Sequence, residues 1–151
     1  MLYSRFSGIV GKEEKMKIVL LDERCLPYRK HRNDAGFDLK VREGFAIPPH
    51  STLVVPSGIM IELEKGTQAD ITPRSSIFKR GVTISGKIDS DYRGEVGIMA
   101  HNMTNNTKIF EKYERIAQMV ISRYEYNTIL EVVDTLSDTE RGMGGFGSTN
   151  G

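Results

Sequence analysis

Apolar residues in this chain come in short runs broken by turn formers. Met16–Leu21 reads MKIVLL, and Phe37–Val41 and Phe45–Ile47 follow, separated by Glu43-Gly44. Thr52–Val55 stops at Pro56. Ile59, Ile61 and Leu63 alternate with Met60, Glu62 and Glu64, the period-two pattern of a half-buried strand. Thr67–Thr72, Val82–Ile84, Glu95–Ala100, Ile116–Ile121 and Ile129–Val133 complete the set. Pro48-Pro49, Ser57-Gly58, Gly66, Gly86 and Asn105-Asn106 punctuate it. Many short strands at short turn intervals predict an all-β sandwich, jelly roll or barrel. One segment breaks the pattern. Arg74-Ser-Ser-Ile-Phe-Lys-Arg80 follows Pro73 and stops at Gly81, which is helix punctuation at both ends. The free N–H groups and positive dipole end at Arg74, Ser75 and Ser76 suit an anion.

Composition narrows the class. A chain of 151 residues is one domain by size, and 38% hydrophobic content suffices for a core. We divide it into an N-terminal extension, residues 1–15, a β domain, 16–136, and a flexible C-terminal flap, 137–151. The formal charge is +1, from 21 basic and 20 acidic residues. That balance argues against nucleic acid as a partner. No apolar run reaches the ~20 residues of a membrane span, and the start lacks the apolar block of a signal peptide. The single cysteine, Cys25, allows no intrachain disulfide, so a reducing compartment is expected, cytoplasmic or else nuclear or viral. The glycosylation-like triplets at Asn102 and Asn105 then carry no meaning.

Several stretches invite chemistry. Gly81-Val-Thr-Ile-Ser-Gly86-Lys87 starts like a phosphate-binding loop, but Ile88 replaces the hydroxyl that would reach magnesium and no helix pattern follows. Asp89-Ser-Asp91-Tyr-Arg93-Gly94 starts like a calcium loop, but Arg93 takes a ligand position and Ala100 stands where a bidentate Glu is needed. What remains is Asp89 at the end of an apolar run, where a partly dry carboxylate could serve as a general base. Asp38 opens a strand, and Gln118 is an amide within the apolar stretch Arg115–Ile121 that needs a partner. The tail Arg141-Gly-Met-Gly-Gly-Phe-Gly-Ser-Thr149 sets a cation, a ring and two hydroxyls among glycines, a flap suited to a nucleotide. Ordering it costs on the order of 10 kcal/mol. Base stacking returns ~1–3 kcal/mol and each charge-assisted phosphate bond ~1.5–3 kcal/mol. Closure over a full triphosphate is therefore close to balanced.

In order along the chain, Ala35-Gly-Phe-Asp-Leu39, Pro73-Arg-Ser-Ser76, Gly86-Lys-Ile-Asp-Ser-Asp-Tyr-Arg-Gly94, Glu114-Arg-Ile-Ala-Gln118 and Arg141–Thr149 resemble the five motifs of the trimeric dUTP diphosphatases (dUTPases). The resemblance implies a jelly-roll-like β fold and a homotrimer with sites at subunit interfaces. It implies hydrolysis of dUTP to dUMP and diphosphate with Mg2+, removing dUTP and supplying dUMP for thymidylate synthesis. By the same resemblance Asp89 activates the water that attacks the α-phosphorus. Arg74, Ser75 and Ser76 meet the phosphates, and Gln118 holds phosphates or magnesium's waters. Asp38 reaches Mg2+ through water. Tyr92 packs against the deoxyribose, Arg141 takes the γ-phosphate, and Phe146, with Gly147 and Ser148 beside it, covers the uracil. A strand–turn around Ile84–Ile88, including Gly86 and Ile88, reads the uracil edge through backbone groups. Cytosine would leave such groups unpaired, which supports strong discrimination.

This chain departs from the family at Ser76, where Gly is usual, at Tyr113-Glu114, where Gly-Asp is common, at Lys87, where a small or apolar residue is usual, and in a shorter Ser76–Asp89 loop. Two alternatives share the fold. A dCTP deaminase needs a catalytic Glu where this chain has Met99, which cannot shuttle protons. A nucleotide-responsive binding or regulatory protein could dispense with Asp89.

Overall fold

A computed structural model describes residues 15–147. In chain order its strands are β1 (Lys17–Leu20), β2 (Phe37–Lys40), β3 (Phe45–Ile47), β4 (Thr52–Glu62), β5 (Thr67–Pro73), β6 (Val82–Ile88), β7 (Glu95–Asn102), β8 (Lys108–Phe110) and β9 (Arg115–Arg123). The one α-helix among these residues, α1 (Ser75–Lys79), lies between β5 and β6, and a 3-10 turn spans Glu23–Cys25. Seven strands form a sheet in the order β1-β4-β7-β6-β5-β9-β2, and β3 pairs with β8 separately. All of these strand pairs are antiparallel. The sheet curls on itself, so that the Arg42 N–H just past β2 donates to the Pro56 carbonyl of β4 at 2.9 Å. The expected all-β architecture with one short helix is the one observed.

Strand β6 is the joint of that curl. Its first half pairs with β7, ending at Ser85 opposite Met99. Its second half pairs with β5, Gly86 opposite Ile71 and Ile88 opposite Ala69. The strand is unbroken from Val82 to Ile88, so the turn expected around Ile84–Ile88 is absent. Alternation explains this. Val82, Ile84 and Ile88 are buried, and the run Val-Thr-Ile favours extended backbone. Gly86 fits there because a Cβ would press on Ile71, at 3.2 Å from its Cβ.

Other boundaries also moved. Thr52–Val55 and Ile59–Leu63 are not two strands. They belong to β4, which passes through Pro56 and shifts register between Pro56 and Met60. A bulge accommodates a proline within a strand. Lys108–Phe110 forms a strand that its short pattern did not announce, and Phe110 stacks on Phe45 with ring centroids 4.9 Å apart. The strand expected at Ile129–Val133 is not formed. Ile129, Leu130 and Val132 are 88%, 95% and 97% exposed. Within a single chain this segment has no sheet edge or core against which to bury its apolar side chains.

The core is aliphatic, with Leu39, Ile59, Ile71, Ile98, Ile116 and Met119 almost fully buried. Asn102 is buried among them, and its amide nitrogen donates to the carbonyls of Ile47 (3.0 Å), Pro48 (3.2 Å) and Asn106 (2.7 Å). Its amide oxygen accepts from the Thr104 N–H and hydroxyl. A buried amide so fully satisfied ties β7 to the loops at that end of the sheet. It also removes Asn102 as a glycosylation acceptor in the folded chain. No helix among the described residues is long and apolar enough to cross a membrane.

Candidate active site

The predicted site residues fall into two groups within one chain, with the tail apart from both. The first group gathers at the junction of β2, β9 and α1. The Asp38 carboxylate on β2 lies 3.3 Å from Arg74 Nε and 3.5 Å from Arg115 Nη1. Arg74 is the N-cap of α1. Its extended backbone (φ −64°, ψ 148°) turns the chain from β5 into the helix, and its N–H donates to the Ile116 carbonyl. Arg74 Nη1 donates to the Arg115 carbonyl at 3.2 Å. Ser75 and Ser76 occupy the first turn of α1 and are exposed. Their N–H groups, at the start of a helix, have no acceptor within it. The Phe78 N–H closes the turn on the Arg74 carbonyl at 3.0 Å.

Gln118 is opposite Asp38 on one side and Thr72 on the other. It is half-buried on the outward face of the sheet. The expectation of an amide set among core residues is therefore corrected. Strand alternation points Gln118 away from Met119 and Ala117, which are fully buried. Arg115, which lies inside the Glu114–Gln118 motif, joins this group through Asp38. It also lies over the Tyr28 ring, 4.8 Å from the centroid. Tyr28 in turn bridges Asp38 through two backbone bonds, so loop, strand and guanidinium fix one another.

The second group is the turn after β6. Ile88 is buried, and Asp89 follows it into solvent. The partly dry carboxylate expected at Asp89 is not found in the single chain. The chain leaves the sheet there and no second element covers it. The Tyr92 N–H donates to the Asp89 carbonyl at 3.1 Å. Arg93 Nη1 braces the same turn through the carbonyls of Ser90 (2.7 Å) and Tyr92 (3.1 Å). The Tyr92 hydroxyl donates to the Glu95 carbonyl at 3.0 Å. Asp89 and Arg93 line an open cleft of about 710 Å³ with Glu62, Lys65 and Tyr124. None of the residues of the first group borders it. Beyond Ser85 the strand β6 leaves β7, so the backbone of Gly86–Ile88 is flanked by a strand on the β5 side only. Lys87 projects outward and pairs with Asp70 at 3.0 Å.

The groups are far apart. Ile88, just before Asp89, is opposite Ala69, while Pro73, just before Arg74, is four residues further along β5. That is roughly 13 Å at the rise of a strand. The hydrogen bonds of the described part of the tail stay within it and at Thr139. Arg141 Nε donates to the Gly144 carbonyl at 2.7 Å, curling the segment on itself. Phe146 is fully exposed with φ 48°, and Gly147 follows with φ 83°. Ser148 lies outside the described residues. No cluster of three or more potential metal ligands exists among the described residues.

Comparison with known proteins fits this arrangement. The dUTPase family model matches residues 22–150. The chain is 44% identical over 140 residues to the deoxyuridine 5'-triphosphate nucleotidohydrolase of Nautilia profundicola, covering 89% of this chain and 98% of that protein. It is 43% identical over 134 residues to the enzyme of the same name from Clostridioides difficile, covering 86% and 93%. Among solved structures, the Staphylococcus bacteriophage 80alpha dUTPase with dUPNHPP superposes with a TM-score of 0.82 at 27% identity, over 91% of this chain and 99% of that one. A point mutant of the dUTPase from the S. aureus phage phi11, described with a structural Mg(II) ion, shares the fold with a TM-score of 0.75 at 22% identity, over 83% and 100%. The family model spans both groups and nearly all of the tail, and the chain belongs to the dUTPase family.

Proposed function

We propose that this chain hydrolyses dUTP to dUMP and diphosphate at sites assembled from several copies, with Asp89 activating the attacking water. The observation that carries the reading is the separation of Asp89 and Tyr92 from Asp38, Arg74 and Arg115 within one chain. A triphosphate nucleotide is long enough to need both groups, and a neighbouring copy can bring them together. The homotrimer accounts for this. It also accounts for Ile129, Leu130, Val132 and Leu136, whose exposed side chains in one chain call for a partner. An apolar groove of about 400 Å³, lined by Met16, Ile18, Leu26 and Phe37 beside the open edge of β1, offers a place for them on a second copy.

Each residue has a role in such a site. Arg74 and the first-turn N–H groups of Ser75 and Ser76 receive phosphate oxygens, where charge must be neutralised for in-line attack. Gln118 extends that row. The free backbone edge at Gly86–Ile88 reads uracil in place of the missing turn, because a paired base presents the donors and acceptors that a strand edge lacks. Tyr92 lies against the deoxyribose. Arg141 meets the γ-phosphate, while Phe146, Gly147 and Ser148 close over the base. Asp89 holds and deprotonates the water, a step typically worth roughly 10²–10⁴-fold.

Magnesium fits these residues in one way. Asp38, already facing Arg74 and Arg115 and with no ligand cluster around it among the described residues, suits an ion held mainly by water and phosphates rather than by a protein cage. Bound there, the ion would offset phosphate charge. The deaminase alternative is poorly supported, because Met99 lies 46% exposed on β7 and offers no proton carrier. The test is a nucleotide panel with product identification. The expected result is diphosphate and dUMP from dUTP with Mg2+, and far slower turnover of dCTP, dTTP and UTP. A uracil product from dCTP, or binding without turnover of any of the four, would refute the reading.

A further inference from the structure

We infer that Gly94 is a specificity-determining residue, which by lacking a side chain leaves the space in which the Tyr92 ring lies and so sets which sugar the site accepts. The inference rests on the reading of Tyr92 as the ring against the deoxyribose. Glycine is needed in a turn for one of two reasons, a left-handed φ or the room of a missing Cβ. The first does not apply, because Gly94 is not among the glycines at positive φ. The second does. A Cβ at Gly94 would lie 2.6 Å from Tyr92 Cζ, 3.1 Å from Cε2 and closer still to the phenol oxygen.

All three atoms belong to the far end of one side chain. A methyl group at this position would therefore displace the ring and leave the backbone in place. The rest of the turn has its own supports, which the methyl does not touch. They are the Tyr92 N–H to the Asp89 carbonyl and the Arg93 guanidinium on the carbonyls of Ser90 and Tyr92. The ring has one polar tether, its hydroxyl on the Glu95 carbonyl at 3.0 Å, and it would lose that bond on swinging away. Sugar selection and water activation are thus separable in this turn. Moving the ring makes room for a ribose 2′-hydroxyl, while Asp89 stays where β6 ends.

The experiment compares kcat/KM for dUTP and UTP, with Mg2+, in the full-length protein and in Gly94→Ala and Tyr92→Phe. Gly94→Ala is expected to fold with unchanged Tm and to lower the preference for dUTP over UTP by about tenfold or more, the scale on which a few atoms of pocket space discriminate. Most of that change comes from faster use of UTP. Tyr92→Phe, which removes only the tether, is expected to lower the preference to a smaller degree. An unchanged preference in both folded variants would overturn the inference. So would a failure of Gly94→Ala to fold, because the methyl is expected to move only a ring. A wild-type protein with no preference for dUTP over UTP would instead refute the reading of Tyr92 itself.

Discussion

Two arginines share one carboxylate at Asp38, and the surplus of positive charge is what a phosphate site needs. Each guanidinium keeps further N–H donors beyond those spent on Asp38, so the trio can be ordered in the free protein and still receive phosphate. Tyr113 shows a different single-residue compromise. It takes φ 66°, a left-handed conformation that costs a non-glycine residue about 1–3 kcal/mol, where the family commonly has glycine. Three contacts hold it there. Its hydroxyl donates to Asp22 Oδ2 at 2.8 Å, and Arg24 and Lys112 lie 5.5 and 5.1 Å from the ring centroid. The Tyr113 hydroxyl, followed by the Arg24 N–H, holds the Asp22 carboxyl below its ordinary 3.8. A carboxyl depressed on folding contributes stability above its unfolded pKa and loses it as pH falls through the folded one. Tyr113→Phe is therefore expected to lower Tm at pH 7, and the gap to wild type should close as pH drops below about 3.8. A gap that persists at lower pH would remove Asp22 from the account. At this scale the order of the motifs singles out Asp38, Arg74 and Asp89, and the structure brings Asp38 and Arg74 together. Which face Gln118 takes, and that Arg115 joins Asp38, depended on strand pairing that a linear pattern does not contain.

Elements were legible where the hydrophobic period was long enough. The helix at Ser75–Lys79 lies between the proline and glycine that predicted it, and a Cβ at Gly81, held at φ 85°, would land on the Thr104 methyl. Strand β4 was misread as two because Pro56 is a local stop signal, whereas tertiary pairing absorbs it in a bulge. Strand β8 is as short as β3, but Lys108-Ile109-Phe110 opens on a charge and lacks the unbroken apolar run of Phe45-Ala46-Ile47 that announced β3. The error at Ile129–Val133 is of another kind, since apolar alternation reports a wish to be buried without saying on which chain. The tail belongs with it. Among the described residues, Arg141–Gly147 makes hydrogen bonds only within itself and to Thr139, so the described fold does not depend on it. Deleting residues from Arg141 onward is expected to lower kcat for dUTP by on the order of 10²-fold, from lost charge-assisted and stacking contacts. Thermal scanning should meanwhile show an unchanged Tm. A large drop in Tm would mean that the tail is structural.

At the scale of the whole molecule, the proposed site is incomplete in a single chain. Its sheet holds Asp38, Arg74 and Arg115 at one corner and the Asp89 turn, proposed to activate water, roughly 13 Å away by strand rise, while Arg141 in the tail bonds back to Gly144. Closed rotational symmetry resolves this with one interface type repeated, because each copy can give its turn to one neighbour and its tail to another. The strand pattern predicted an all-β fold, and that fold is present. The sharing of the proposed site between copies could not be read from it, because a linear pattern does not carry distances between chains. Complementation measures this directly. Asp89→Asn and the tail-deleted chain are each expected to be inactive on dUTP when assembled alone. Unfolded together, refolded as an equal mixture and isolated through two affinity tags, the mixed trimers should recover about one third of wild-type activity. In any mixed trimer one site in three receives an intact Asp89 from one copy and an intact tail from another. Mixed oligomers that form but remain as inactive as their parents would contradict a site shared between chains.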